Sequence, residues 1–380
     1  MGNDERNEFR STGDMIRALV TGATGFLGTH LVRELLRQGF EVTCLRRATS
    51  DVAHLGPLRV RMKVADVTQA ETLPSAIEGA DVVFHLAGLT RALHPGQLAA
   101  VNAAGTRHLL AACAAQAGPP VVVLVSSLAA AGPSLADRPR EENAPAVPVS
   151  HYGRSKRAAE VVAHEFADRL PITVVRPPLV FGQGDRSVLA IFRPIRRWGV
   201  HLVPGFVDRR LSLIHATDLA TALVAAARNG TRLRAEMATV PAEGPRILRL
   251  PSNNVPSGQP CRSLEPENRI PSRGYYHVAC DEHPTYAELG CRASLALGRG
   301  AVVLRTPQWL AWATAGVSEL AGRLRRRPLV FNWDKAREAT AGSWTCSPER
   351  VKRELGWSCA ADLDARLRET IAWYREQGWL

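Results

Sequence analysis

The segment that most constrains this chain is Thr21-Gly22-Ala23-Thr24-Gly25-Phe26-Leu27-Gly28. It follows a short β-type run, Ile16–Val20, and leads into Leu27, Leu31 and Leu35 at helical spacing, so it lies at a strand-to-helix turn. Three glycines at such a turn have separate uses. The first permits a tight reversal, the second lets backbone approach a pyrophosphate, and the third lets helix pack closely on strand. The helix that follows offers unpaired N–H groups to an anion. In this context the triplet predicts a dinucleotide site lined by Thr21, Gly22, Thr24, Gly25, Phe26, Leu27 and Gly28.

The first half keeps the same rhythm. Val42–Leu45, Val60 to Val64, Val82–Leu86, Val121–Val125 and Ile172–Val175 read as strands, and Val101–Gln116 and Ala158–Leu170 as helices. An unbroken apolar run such as Val121–Val125 suits a strand buried on both faces of a parallel sheet. Alternating strands and helices predict an α/β chain with a Rossmann-type, doubly wound parallel sheet. We expect a dinucleotide-binding domain over 15–177 and a smaller, mainly helical substrate-binding part over 178–380, of which 211–228 returns to pack on the first domain. Residues 1–14 are polar, lack the apolar stretch of a signal peptide, and read as a disordered lead-in. The Pro-, Ser-, Asn- and Arg-rich stretch 241–273 reads as an inserted flexible loop. Trp309–Ala321 is too short to span a bilayer and carries Glu319. A buried amphipathic helix is the expectation there, with membrane-surface contact as the alternative because Arg323–Arg327 flank it.

The 380 residues exceed what one small core needs, and the formal charge of +12 suits anionic ligands. Basic residues are scattered and no nucleic-acid motif accompanies them, so no nucleic-acid partner is expected. The seven cysteines include no C-x-x-C pair and the eleven histidines no metal-binding pattern. We therefore expect reduced thiols, no metal, no membrane span and a cytoplasmic location.

The end of the second strand bears on which dinucleotide binds. An acidic residue there would hold the ribose hydroxyls of NAD, but this chain has Leu45-Arg46-Arg47. A guanidinium pairs with a 2′-phosphate, so Arg46 and Arg47 favour NADP over NAD. Asp66, after the third strand, is a candidate partner for the adenine. Tyr152 and Lys156 stand four apart and share a helix face. A nearby ammonium, like an oxidised nicotinamide, lowers the phenol's pKa from about 10, so Tyr152 can exchange a proton with an alcohol or carbonyl. Ser126-Ser127 ends the buried strand at its carboxyl edge, where open parallel sheets bind ligands.

Turn, serine and Tyr/Lys pair together resemble the extended short-chain dehydrogenases/reductases, the NAD-dependent epimerase/dehydratase group. Further likeness lies in His85-Leu86-Ala87-Gly88, Val101 to Thr106, Arg176-Pro177-Pro178, Phe181-Gly182, Leu213 to Leu219, and the tail segments Glu354 to Trp357 and Thr370 to Tyr374. The resemblance implies that Ser127 (with Ser126 as the fallback), Tyr152 and Lys156 are catalytic and that Lys156 also holds the nicotinamide ribose. It further implies that Val67, Leu86, Ala87, Gly88, Asn102, Tyr152 and Pro178 line the cofactor, that His215 and Asp218 are architectural, and that the protein forms a homodimer. Two departures set the chain apart from nucleotide-sugar enzymes. Leu211-Ser212 stands where those enzymes have an Arg-Asp pair, and Ala129 to Gly132 lacks their Val-Tyr-Gly, which is closer to the 3β-hydroxysteroid dehydrogenase and dihydroflavonol reductase branch. Arg209 and Arg210 lie near enough to replace the missing arginine. The expected function is an NAD(P)-dependent oxidoreductase moving hydride between nicotinamide and a secondary alcohol or ketone of a small molecule. The alternatives are an epimerase/dehydratase of nucleotide sugars and a non-catalytic NAD(P)-binding sensor.

Overall fold

The computed structural model describes residues 15–135, 138–234, 272–329 and 331–380. The lead-in expected at 1–14 lies outside them, as does 241–271 of the expected insertion.

In chain order the first elements are β1 (Arg17–Thr21), α1 (Phe26–Arg37), β2 (Glu41–Arg46), β3 (Arg61–Val64), α2 (Leu73–Ile77), β4 (Val82–His85), α3 (Pro95–Leu98), α4 (Gly105–Ala114), β5 (Val121–Val125), α5 (Leu128–Ala131), α6 (His151–His164) and β6 (Ile172–Arg176). Then come β7 (Leu179–Phe181), α7 (Leu189–Trp198), β8 (Val200–Pro204), β9 (Leu213–His215), α8 (Ala216–Asn229), β10 (Tyr275–His277), α9 (Tyr286–Leu297), β11 (Val302–Thr306), α10 (Gln308–Leu324), α11 (Trp333–Ala341), α12 (Glu349–Leu355) and α13 (Leu363–Glu376).

Seven strands form one sheet in the order β10-β6-β5-β4-β1-β2-β3, and every pairing in it is parallel. The doubly wound sheet read from the sequence is therefore present. β4 and β6 are buried along their whole length, which accounts for their continuous apolar runs, while β3 at the edge is mostly exposed. Leu31 and Leu35 of α1 with Leu219 and Leu223 of α8 close one face. Leu73 of α2, Leu109 of α4 and Val162 of α6 close the other. The C-terminal half gathers a core of its own around Phe192 of α7, Leu289 of α9 and Tyr374 of α13.

Three features depart from the sequence reading. The expected helix over Val101–Gln116 begins as a π-turn, Ala99–Ala104, which buries Asn102 before α-helical winding resumes. β10, from beyond residue 178, joins the main sheet beside β6, where the guanidinium of Arg176 lies 4.4 Å from the Tyr275 ring centroid. Lastly, α10 is only half buried. Ala311, Ala315 and Gly322 face inward, while Trp309, Val317, Leu320 and Leu324 face outward. Among the described residues no helix is long and apolar enough to cross a membrane.

Candidate active site

The glycine turn closes as its composition requires. Gly22 has φ +71°, and a Cβ there would lie 2.8 Å from the Ala87 nitrogen. A Cβ on Gly28 would meet the Gly22 carbonyl at 2.2 Å. The Gly25 N–H bonds that same carbonyl at 3.0 Å, and Gly25 then starts α1 from extended backbone with no side chain capping the first turn. The turn, with half-buried Thr24, Phe26 and Leu27, is thus a backbone cradle with open helix N–H groups and no acidic residue in the first turn. These are the properties a dinucleotide pyrophosphate needs, so the residues fit that group.

Thr21 ties the cradle to the next strand. Its hydroxyl accepts from the Ala87 N–H at 3.1 Å and lies 2.7 Å from His85 Nδ1. His85 Nε2 lies 3.0 Å from the Thr106 hydroxyl, which itself donates to the Asn102 carbonyl at 2.6 Å. Burial, with the Lys156 charge second, pushes His85 down to about 3, so the ring is neutral. The Thr106 proton is already committed, which makes Nε2 the protonated nitrogen and Nδ1 the acceptor of the Thr21 proton. The relay holds the Leu86-Ala87-Gly88 backbone against Gly22.

At the end of β2, Arg46 is half buried and its Nε has no hydrogen-bond partner among the described residues, while Nη1 reaches the Arg47 carbonyl at 3.3 Å. Arg47 is exposed. Asp66 accepts from both the N–H and the hydroxyl of Thr68, at 2.9 and 2.8 Å, through Oδ1 alone. Val67 is committed to packing: its side chain fills the space where a Gly105 Cβ would lie 2.8 Å away, and its carbonyl meets His108 Nδ1 at 2.9 Å. Pro178 is half buried between β6 and β7.

The two serines that end β5 separate cleanly. Ser126 is buried and donates to Glu160 at 2.6 Å, inside an ion cluster in which Arg176 grips Glu160 through two bonds of 2.7 Å. Ser127 caps α5 by accepting from the Ala129 N–H at 3.1 Å, and its hydroxyl is near enough to the Tyr152 phenol to pull the phenol's pKa down. Tyr152 lies in the first turn of α6, which Ser150 caps by accepting from the Gly153 N–H at 2.8 Å. One turn on, Lys156 is buried and donates to the Val125 carbonyl at 2.8 Å. A Cβ on Gly88 would lie 3.4 Å from that ammonium and 2.9 Å from Asn102 Oδ1. Asn102 fastens this corner, accepting from the Leu89 N–H at 2.7 Å and donating to Ser155 at 2.9 Å. Burial pushes Lys156 down to about 8, against the pull of Glu160.

Burial raises the Tyr152 pKa; the Lys335 ammonium, then the Ser127 hydroxyl, pull it down, and Glu338 pushes it up. The sequence pointed to Lys156 as the cation that tunes the phenol, yet the cation that acts on it here comes from α11. Lys335 Nζ lies 5.3 Å from the Tyr152 ring centroid and donates to Glu338 at 2.6 Å. The same helix caps α6 from outside. Asp334 accepts from the N–H groups of His151 and Tyr152 at 2.7 and 2.9 Å, and Glu338 accepts from Ser150 at 2.7 Å. Sequence reasoning missed all three residues. Their separation from Tyr152 follows no local period, and the only local sign was Asn332, which caps α11 by accepting from the Lys335 N–H.

Around Leu211-Ser212, the polar side chains are engaged by neighbouring groups. Ser212 is buried against His283 and the Cys346 N–H, both at 3.0 Å. Arg209 donates to the Pro204 carbonyl at 3.2 Å and Arg210 to the His283 carbonyl at 3.0 Å. His215 caps α8, and Asp218 binds Arg366 through two bonds of 2.5 and 2.8 Å, so both act in the architecture.

The chain matches the profile of the NAD dependent epimerase/dehydratase family over residues 18–237. It is similar to a ceramide reductase of Caulobacter vibrioides, with 30% identity over 95% of each chain. It is also similar to human 3 beta-hydroxysteroid dehydrogenase type 7, with 33% identity over 50% of this chain and 58% of that one. The crystal structure of Thermus thermophilus UDP-glucose 4-epimerase with NAD superimposes at a TM-score of 0.67 and 21% identity, covering 95% of this chain and 99% of that one, a likeness of fold.

Proposed function

Since the chain belongs to the NAD dependent epimerase/dehydratase family, we propose that it is an NADP(H)-preferring oxidoreductase that interconverts a ketone and a secondary alcohol on an apolar, lipid-like molecule. The observation that carries the reading is the convergence of Ser127, Tyr152 and Lys156 at the carboxyl edge of the sheet, with Lys156 on the Val125 carbonyl and beside the glycine cradle. When bound in the cradle, the nicotinamide supplies or accepts the hydride. The Ser127 hydroxyl donates to the substrate oxygen and orients it. In the reductive direction Tyr152 Oη gives that oxygen its proton as the carbon–oxygen bond becomes single, and in the oxidative direction Oη takes the proton back. Lys156, with the edge of Gly88 beside it, holds the nicotinamide ribose. Lys335 acts through Tyr152 and is a positioning residue. Its charge favours the phenolate left after proton transfer.

Leu211 and the buried, fully engaged Ser212, at the positions where nucleotide-sugar enzymes carry an Arg-Asp pair, favour net redox over nucleotide-sugar epimerisation. The names of the ceramide and hydroxysteroid relatives favour a lipid substrate. The free cysteines favour a reducing compartment, the cytoplasm. The test is turnover of long-chain and steroid ketones in mixed micelles beside a panel of nucleotide sugars. One NADPH should be consumed per alcohol formed. Conversion of a nucleotide sugar with no net change in nicotinamide absorbance would establish the epimerase reading instead.

The preference for NADP rests on Arg46, whose Nε lacks a partner at the end of β2. A charge-assisted bond to phosphate is worth about 1.5–3 kcal/mol. Arg46→Ala should therefore weaken NADPH binding by roughly 10- to 100-fold and change NADH binding by less than about twofold. Equal losses on both cofactors in fluorescence titration would assign Arg46 to folding alone.

A further inference from the structure

We propose that the outer face of α10 docks the protein on an anionic lipid bilayer, with the catalytic edge one helix away. α10 buries Ala311 and Ala315, yet Trp309, Ala313, Val317, Leu320 and Leu324 are all exposed, the four larger ones at 68, 72, 62 and 79%. At 3.6 residues per turn these five fall within an arc of about 80°, along a helix roughly 25 Å long. The turn after β8, which carries exposed Phe206 and Val207, abuts the start of this helix: a Cβ on Gly205 would lie 3.3 Å from Gln308. An apolar stripe of this extent on a water-facing helix marks a docking surface.

Charge identifies the occupant. Arg325, Arg326 and Arg327 follow directly on the stripe, all exposed and without an ion pair among the described residues. The chain as a whole carries +12. A second copy would bring two such charges together, whereas an anionic bilayer is drawn by them. A helix too short to span, with tryptophan at one end and arginines at the other, lies in the headgroup plane with its apolar face down. The position of the surface joins it to the chemistry. Trp312 of α10 packs on Trp333 of α11 with ring centroids 5.4 Å apart, and the next two residues of α11 are Asp334 and Lys335, which hold Tyr152. Docking therefore brings the catalytic mouth to the lipid surface, where an apolar ketone resides. Delivery of that substrate rests on the oxidoreductase reading, but binding to the bilayer does not.

The experiment is co-sedimentation of the full chain with phosphatidylcholine vesicles, with and without about one-third phosphatidylglycerol. Partitioning onto the anionic vesicles is expected, weakening as salt rises. Arg325→Glu/Arg326→Glu/Arg327→Glu should lower it on the order of a hundredfold or more. Val317→Glu/Leu320→Glu should lower it at least about tenfold. The second variant should keep wild-type turnover of a ketone in micelles and lose it on the same ketone in vesicles, which also shows that it folds. Absence of wild-type binding to the anionic vesicles, or full binding by both variants, would overturn the proposal. So would a dimer in solution that Val317→Glu/Leu320→Glu dissociates, because a second copy would then cover the face. If no ketone is turned over at all, the oxidoreductase reading falls while sedimentation still decides the docking.

Discussion

Tyr152→Phe should cost about 10²–10⁴-fold in turnover, the range of general acid–base help, and leave NADPH affinity unchanged. The ring stays in place because the N–H of residue 152 is held by Asp334 and the first turn of α6 by Ser150, neither of which involves the phenol. Only the phenol hydroxyl, with its proton at Oη, is lost. The variant should thus separate binding from chemistry in one measurement, with kcat collapsing while the cofactor titration overlays that of wild type. A turnover within threefold of wild type would remove Tyr152 from the proton path. Lys335→Met provides the graded counterpart. Burial already raises the phenol's pKa and Lys335 opposes it, so removing the ammonium moves the pKa higher. The alcohol-oxidising rate should then need a more alkaline pH to reach its plateau, and Lys335→Arg should restore the wild-type profile.

Arg176→Met should destabilise the fold by up to about 3–5 kcal/mol, the cost of breaking a buried ion pair, reduced to the extent that Arg157, 3.1 Å from the same carboxylate, still compensates its charge. Arg176 and Glu160 are both buried, joined by two bonds of 2.7 Å, and Ser126 at 2.6 Å and Arg157 at 3.1 Å complete the cluster. Burial by itself would raise the Glu160 pKa, but the Arg176 charge and hydrogen bonds overcome it and hold the carboxyl at about 2. An unfolded glutamate titrates near pH 4.3, so the folded value is depressed. The pair's contribution is complete above that pH and fades as pH falls from about 4.3 toward 2. Urea denaturation of Arg176→Met should show a lower midpoint at pH 7 and a shallower fall of stability on acidification than wild type. Adding Glu160→Leu should recover part of the loss, since the under-compensated carboxylate is gone. A midpoint unmoved by the single substitution would mean that the cluster contributes nothing to stability.

What the sequence disclosed and what it withheld divide along physical lines. The glycine turn, the buried strands and the four-residue spacing from Tyr152 to Lys156 are local patterns, and a local pattern survives as spacing along the chain. β10 did not, because three residues beyond a Pro- and Ser-rich stretch carry too little periodicity to be assigned to a sheet edge. The resemblance prefers Ser127 to Ser126, but the contact that occupies Ser126, with Glu160 34 residues away, leaves no mark in local spacing. For α10 the sequence leaves a buried amphipathic helix and membrane-surface contact as alternatives, because periodicity reports that a face is apolar and not what lies against it. Lys335 stood furthest out of reach: its relation to Tyr152 exists only once α11 has docked on α6.

That docking has a consequence for when the protein becomes competent during its synthesis. The opening N–H groups of the helix that carries Tyr152 find their carboxylate partner 182 residues downstream in the case of Tyr152 itself. A chain made only as far as β6 still lacks α8, which closes one face of the sheet, β10 at its edge, and the clasp that fixes its reactive corner. The geometry of that corner is therefore complete only after the chain has passed Glu338.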